Sequence, residues 1–122
     1  MNVFSLLSQA ARRWPDGIAV CEGERVVQTW SALEQAALAL AARLRTTLGP
    51  ASRIAIVSEN RPACVQTLFG IWAAGMVAVP INYKLHPREV RAIVEDADAA
   101  ALFASRDLAD PLRPLLPAAC RL

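Results

Sequence analysis

Few residues in this chain combine a reactive type with a spacing that could do chemistry. His86 is the only histidine; it stands directly before Pro87, and no cysteine or aspartate nearby forms a nucleophile–base pattern with it. A catalytic imidazole needs an orienting partner, so His86 reads as a loop or helix-cap residue. Cys21, Cys64 and Cys120 are an odd set with no C-x-x-C pair. That argues against a disulfide framework or a zinc site and fits a reducing, cytoplasmic setting; Cys21 and Cys64 are expected to be buried packing residues. The glycines at 17, 23, 49, 70 and 75 are scattered, whereas a phosphate cradle needs them clustered so that successive N–H groups converge on the anion. Asp96 and Asp98 are neighbours in sequence only and read as a solvated helix end.

Two loops deserve weight because each follows an expected strand, and open α/β sheets bind ligands at the carboxyl ends of parallel strands. In Ser58-Glu59-Asn60-Arg61-Pro62, Asn60 is a candidate cap and Arg61 a candidate anion contact at a helix start. A turn plus a cap is the plainer account. In the stretch from Asn82 to Arg88, Lys84 lies near Arg88 and Arg91 in sequence. They are either a phosphate-collecting group or, more simply, a solvated basic loop.

The elements that must position these loops follow from punctuation in the sequence. No charge occurs from Ala63 through Tyr83, and a bilayer span needs about 20 apolar residues in one helix. Pro62 suits a first helical turn and Gly75 a stop, which leaves a helix of only roughly 20 Å. Beyond it, Val77, Val79 and Ile81 are β-branched and Pro80 breaks helices. Arg53–Asn82 is therefore expected to be a strand–helix–strand unit with parallel strands and no membrane span. A membrane anchor centred on Trp72 is the weaker reading.

Upstream, Val3–Arg13 has helical periodicity and Trp14-Pro15-Asp16-Gly17 ends it. The absence of a leading basic region, with Arg12 and Arg13 after the apolar part, is the reverse of a secretory signal. Ile18–Cys21 and Arg25–Thr29 read as a hairpin turning at Gly23. Ser31 and Glu34 have capping-box spacing, opening a helix with Leu33, Ala37, Leu40, Leu44 and Leu48 on one stripe, stopped by Gly49-Pro50. Downstream, Pro87 opens a helix with Val90, Ile93, Val94 and Ala97 inward and Arg88, Glu89, Arg91, Glu95 and Asp96 outward. Ala100–Phe103 is the next strand, and prolines at 111, 114 and 117 keep any later helix short. The expected class is α/β: helices layered around a mostly parallel sheet, with an N-terminal hairpin.

With 122 residues, 55% of them hydrophobic, and a mean hydropathy of +0.31, the chain is richer in apolar residues than so small a domain can cover. Open sheet edges and bare apolar faces then favour self-association or a partner chain. A net charge of +2 and a pI of about 8.7, without a basic tract, argue against nucleic-acid binding.

The succession Thr29-Trp30-Ser31-Ala32-Leu33, Leu40-Ala41-Ala42-Arg43-Leu44 with Gly49, Arg53–Val57, Asn60-Arg61-Pro62, Ala74-Gly75, Val79-Pro80-Ile81-Asn82 and Glu89-Val90 resembles the amino-terminal region of adenylate-forming (AMP-binding) enzymes. The likeness runs in one register from about Phe4 to Phe103. Pro80-Ile81-Asn82 is similar to the acyl- and aryl-CoA synthetase branch. The resemblance implies a parent enzyme that joins a small carboxylic acid to ATP, with Mg²⁺, and passes the acyl group from AMP to CoA. It also implies that residues 1–122 are part of an N-terminal α/β domain ending before the Ser/Thr/Gly-rich phosphate-binding loop. The partner is then the remainder of that enzyme. No catalytic or metal-binding residue is expected in this stretch, no tight binding of a cofactor by the fragment, and no activity from it alone. By resemblance only, Lys84 is placed where a basic side chain approaches CoA phosphates. The alternative from a different class is a complete small α/β binding or interaction module without catalysis.

Overall fold

A computed structural model of the chain describes residues 2–117 and 120. In order it contains α1 (Phe4–Arg13), β1 (Ile18–Glu22), β2 (Arg25–Thr29), α2 (Trp30–Thr47), β3 (Arg53–Val57), α3 (Pro62–Ala73), β4 (Val77–Ile81), α4 (Pro87–Asp96), β5 (Ala101–Ala104) and α5 (Arg106–Leu112), followed by a 3-10 turn over Arg113–Leu115. These elements form two compact units, Met1–Pro50 with Arg61–Met76 and Ala51–Asn60 with Val77–Leu122. The fold is mixed α/β with a parallel three-stranded sheet and an antiparallel hairpin. Among the described residues no helix is long and apolar enough to cross a membrane.

In the first unit, β1 and β2 pair antiparallel and turn at Gly23, whose φ of +60° is open to glycine without a steric penalty. The buried residues of α2, Leu33, Ala37, Ala41 and Leu44, recur every three or four positions and so share one face. Leu7, Val20, Leu33 and Ala37 form the core, with Phe4, Trp30, Val65 and Phe69 packed against it. At Gly70 of α3 an added Cβ would lie 2.6 Å from Leu40 Cδ2 and 3.0 Å from Leu40 Cβ, so the two helices touch where one of them has no side chain. Gly75 ends α3 with φ +75°; its N–H donates to Trp72 O and the Met76 N–H to Ile71 O, the paired bonds of a Schellman stop.

Three expectations fail here. Thr29, not Ser31, caps α2, accepting from the Ala32 N–H at 3.2 Å. The helix starts earlier than expected, so Glu34 lies too far along it to complete a box and accepts instead from Ser8 Oγ at 2.7 Å. Arg61 occupies the N-cap position of α3, with no side-chain capping bond to the helix, so Asn60 is not the cap. Cys21 is exposed rather than buried, and Cys64 is half-buried. Val20 takes the inward position of β1, and register breaks on either side of it leave Cys21 opposite the exposed Val26.

The second unit is built on a sheet of order β4-β3-β5, with β3 parallel to both neighbours. Ala55 and Val57 share one face of β3 and join Ile81, Val90, Val94, Leu102, Leu112 and Cys120 in its core; Ile54 and Ile56, on the other face, are buried too. Val90 and Val94 face inward from α4 while Arg88, Glu89, Arg91, Glu95 and Asp96 are exposed, as the periodicity predicts. The last strand is displaced one residue from the expected Ala100–Phe103. Pro111 sits inside α5, which is correspondingly short at seven residues.

Candidate functional site

The loop from Asn82 to His86, at the carboxyl end of β4, is the most defined polar feature of the second unit. Its side chains alternate, with Asn82, Lys84 and His86 exposed and Tyr83 and Leu85 half-buried. Asn82 shapes the first turn: its Oδ1 accepts from the Lys84 N–H at 3.0 Å and its carbonyl from the Leu85 N–H at 3.2 Å. His86 shapes the second. Its Nδ1 accepts from the Arg88 N–H at 3.1 Å, and the Glu89 carboxylate accepts from the His86 N–H at 2.8 Å. An accepting Nδ1 places the ring proton on Nε2. His86 is thus a helix cap, as expected, and its bonding is spent on the backbone.

Tyr83, Leu85, Pro87 and Val90 line a small apolar crevice of about 70 Å³ that Leu108 and Leu112 complete. These inward side chains fix the loop, and Lys84 is displayed on its outer side with Nζ 5.9 Å from the Tyr83 ring centroid. Of the three basic residues Lys84, Arg88 and Arg91, Arg91 is paired: its guanidinium donates to Glu95 at 2.7 Å, one helical turn along. What the loop displays is the Lys84 ammonium, a point charge of the kind that suits a phosphate.

In the Ser58–Pro62 loop, Ser58 Oγ donates to the Glu59 carbonyl at 2.9 Å, a local turn. Asp96 and Asp98 are exposed at the end of α4, where Asp98 takes the left-handed conformation (φ +52°) usual for glycine. Burial raises the pKa of the Cys120 thiol. Among the described residues no three His, Cys, Asp or Glu side chains lie close enough to hold a metal ion.

Sequence reasoning missed the Asn82 turn and the part Glu89 plays in the cap. The signal for the latter was present: His86 and Glu89 have the spacing of a capping box with imidazole in place of the usual hydroxyl.

Residues 7–121 match the family model of the AMP-binding enzymes, and the chain belongs to that family. It is 34% identical over 118 residues to a long-chain-fatty-acid–CoA ligase of Salmonella typhimurium, covering 94% of this chain and 21% of that protein. It is also 34% identical over 106 residues to a feruloyl-CoA synthase of Amycolatopsis, covering 86% of this chain and 21% of that one. Its fold is similar to the NpsA N-terminal subdomain of Klebsiella oxytoca, with a TM-score of 0.84 at 24% identity over 99% of this chain and 31% of that one. The chain spans about a fifth of the length of the curated relatives it matches.

Proposed function

We propose that this chain is the amino-terminal scaffold of an ATP-dependent acyl- or aryl-CoA ligase. The observation that supports this most is a family match running from residue 7 to 121 in a chain that spans only 21% of its CoA-ligase relatives. In such a ligase ATP, with Mg²⁺, activates a small carboxylic acid as its adenylate, and CoA then takes the acyl group. In this reading the triphosphate loop and the Mg²⁺ site belong to the remainder of the enzyme, which is the chain's partner. The proposed part of this segment is to hold the Asn82–His86 loop at the end of β4 and present Lys84 to a CoA phosphate, in a cytoplasmic enzyme.

The test compares the 122 residues alone with a longer reading frame that contains them. Carboxylate-dependent exchange of pyrophosphate into ATP is expected from the long chain and absent from the short one. Exchange above blank by the short chain overturns the scaffold role, and no thioester formation by the long chain overturns the ligase assignment. In the long chain, Lys84→Ala is expected to raise KM for CoA while leaving the exchange rate unchanged; an unaltered KM removes Lys84 from the site.

A further inference from the structure

The opening positions of α4 depend on unlike partners for their backbone N–H groups. Pro87, at the first, has no N–H to give. The N–H groups of Glu89 and Val90 donate to the His86 carbonyl at 2.8 and 3.1 Å, an acceptor that does not titrate. That leaves the Arg88 N–H to the imidazole, whose Nδ1 accepts from it at 3.1 Å. Only a ring without a proton on Nδ1 has this lone pair to offer. A proton there sets a donor against a donor, and places positive charge at the amino end of a helix, where the macrodipole disfavours it. Histidine is the side chain that changes charge near neutral pH, and solvent reaches the exposed His86 ring. The charged groups around it in the chain are Lys84, Arg88 and Glu89, all exposed, with the Glu89 carboxylate held on the His86 N–H at 2.8 Å. From the elements packed against the loop, Val57 of β3 and Leu108, Pro111 and Leu112 of α5 face it, none of them charged. On α5, Arg106 and Asp110 line a different groove beside Phe103, and Asp107 is exposed in the first turn.

We propose that His86 is a pH-sensitive latch between the Asn82–His86 loop and α4. With the ring neutral the latch is closed, and Lys84 is displayed from a loop ordered at both ends. As pH falls through the imidazole titration, the Arg88 N–H loses its acceptor and the first turn of α4 opens at the ring. The cap therefore supports α4 on the alkaline side of that titration and is lost on the acid side. The rest of the loop stays in place, because Tyr83 and Leu85 sit in their apolar crevice and the Asn82 turn is closed by an amide. The Glu89 half of the cap, an acceptor of a different type, is left on the His86 N–H. This inference rests on the geometry of the cap and is independent of the ligase reading.

NMR of the 122-residue chain between about pH 5 and 8 tests it, the shift of the ring Cε1–H reporting the charge of His86. Exchange of the Arg88 N–H, corrected for its intrinsic pH dependence, reports the latch. Its protection is expected to fall about fivefold as the ring gains its proton, while the amides of β3 keep theirs. His86→Asn, which caps without titrating, should hold the protection constant over the range. Glu89→Gln, which keeps an acceptor for the His86 N–H, should leave the pH dependence as it is. Protection at Arg88 that ignores the ring's titration overturns the proposal. So does the same pH dependence in His86→Asn, or its loss in Glu89→Gln.

Discussion

Asn2, Ser8, Gln28 and Arg45 reach partners that lie 70, 26, 38 and 28 residues away, respectively: the Trp72 carbonyl, Glu34, Gln66 and the Ala73 carbonyl. All belong to the helix-rich unit of α1, α2 and α3 with the hairpin. In the sheet unit Asn82, His86 and Glu89 make their bonds within two or three residues, while Arg53, bonded to the Ala97 carbonyl, reaches 44. The first unit satisfies its polar groups after its helices have packed, and α3 in particular relies on Asn2, just ahead of α1, and on Arg45 of α2 to take up its last carbonyls. The loop of the second unit is shaped by its own neighbours. Damage to helix packing should therefore spread through the first unit, whereas damage to a cap in the second should stay local.

The largest effect should come from Gly70→Ala. Its Cβ meets the near atoms of Leu40, which cannot swing away, and a loss of about 2–3 kcal/mol in thermal unfolding is expected. Leu40→Ala in the same chain should recover part of it. Gly49→Ala, with open space around it, should stay within about 0.5 kcal/mol. If Gly70→Ala is as mild as Gly49→Ala, the close approach of α2 and α3 is wrong.

Arg45→Met comes next. It keeps an apolar stem but removes the donor to the Ala73 carbonyl, and about 1–1.5 kcal/mol should be lost. Amide exchange should quicken along α3 as well as at the site of change.

His86→Ala should be the mildest, at about 0.5–1 kcal/mol for a lost cap. Faster exchange confined to the first turn of α4, near the Arg88 N–H, is the expected signature. If the exchange spreads across the sheet, the contrast between the two units collapses.

These same bonds explain how far the sequence could be read. Pro62, Gly75, Pro80 and Pro87 act within a turn of their own positions, and the boundaries they imply for α3, β4 and α4 agree with the structure. The stripe of α2 was legible because burial follows helical periodicity over 18 residues. Ser31 and Glu34 misled because a capping box is a local pattern, and here a distant residue, Ser8, supplies the partner. Cys21 misled because register breaks in β1 change which side chains point inward, and no residue type announces such a break. At the loop, Lys84 and His86 could be picked out as residues, but the separation of Arg91 from them depends on Glu95. Membership of the AMP-binding family was legible from collinear short patterns rather than from any reactive group.

The strand order β4-β3-β5 also sets a timetable. The strand synthesised first becomes the centre of the sheet, so β3 must acquire a neighbour on each side in turn. β4 follows it after the single helix α3, but β5 starts only at Ala101, after α4 has been made. At translation rates of roughly 5–20 residues per second, the interval between Ile81 and Ala101 is about 1–4 s. During that interval the Ile54–Val57 run of β3 keeps one bare side on the ribosome, and this is the moment at which the nascent chain is most exposed to wrong pairing.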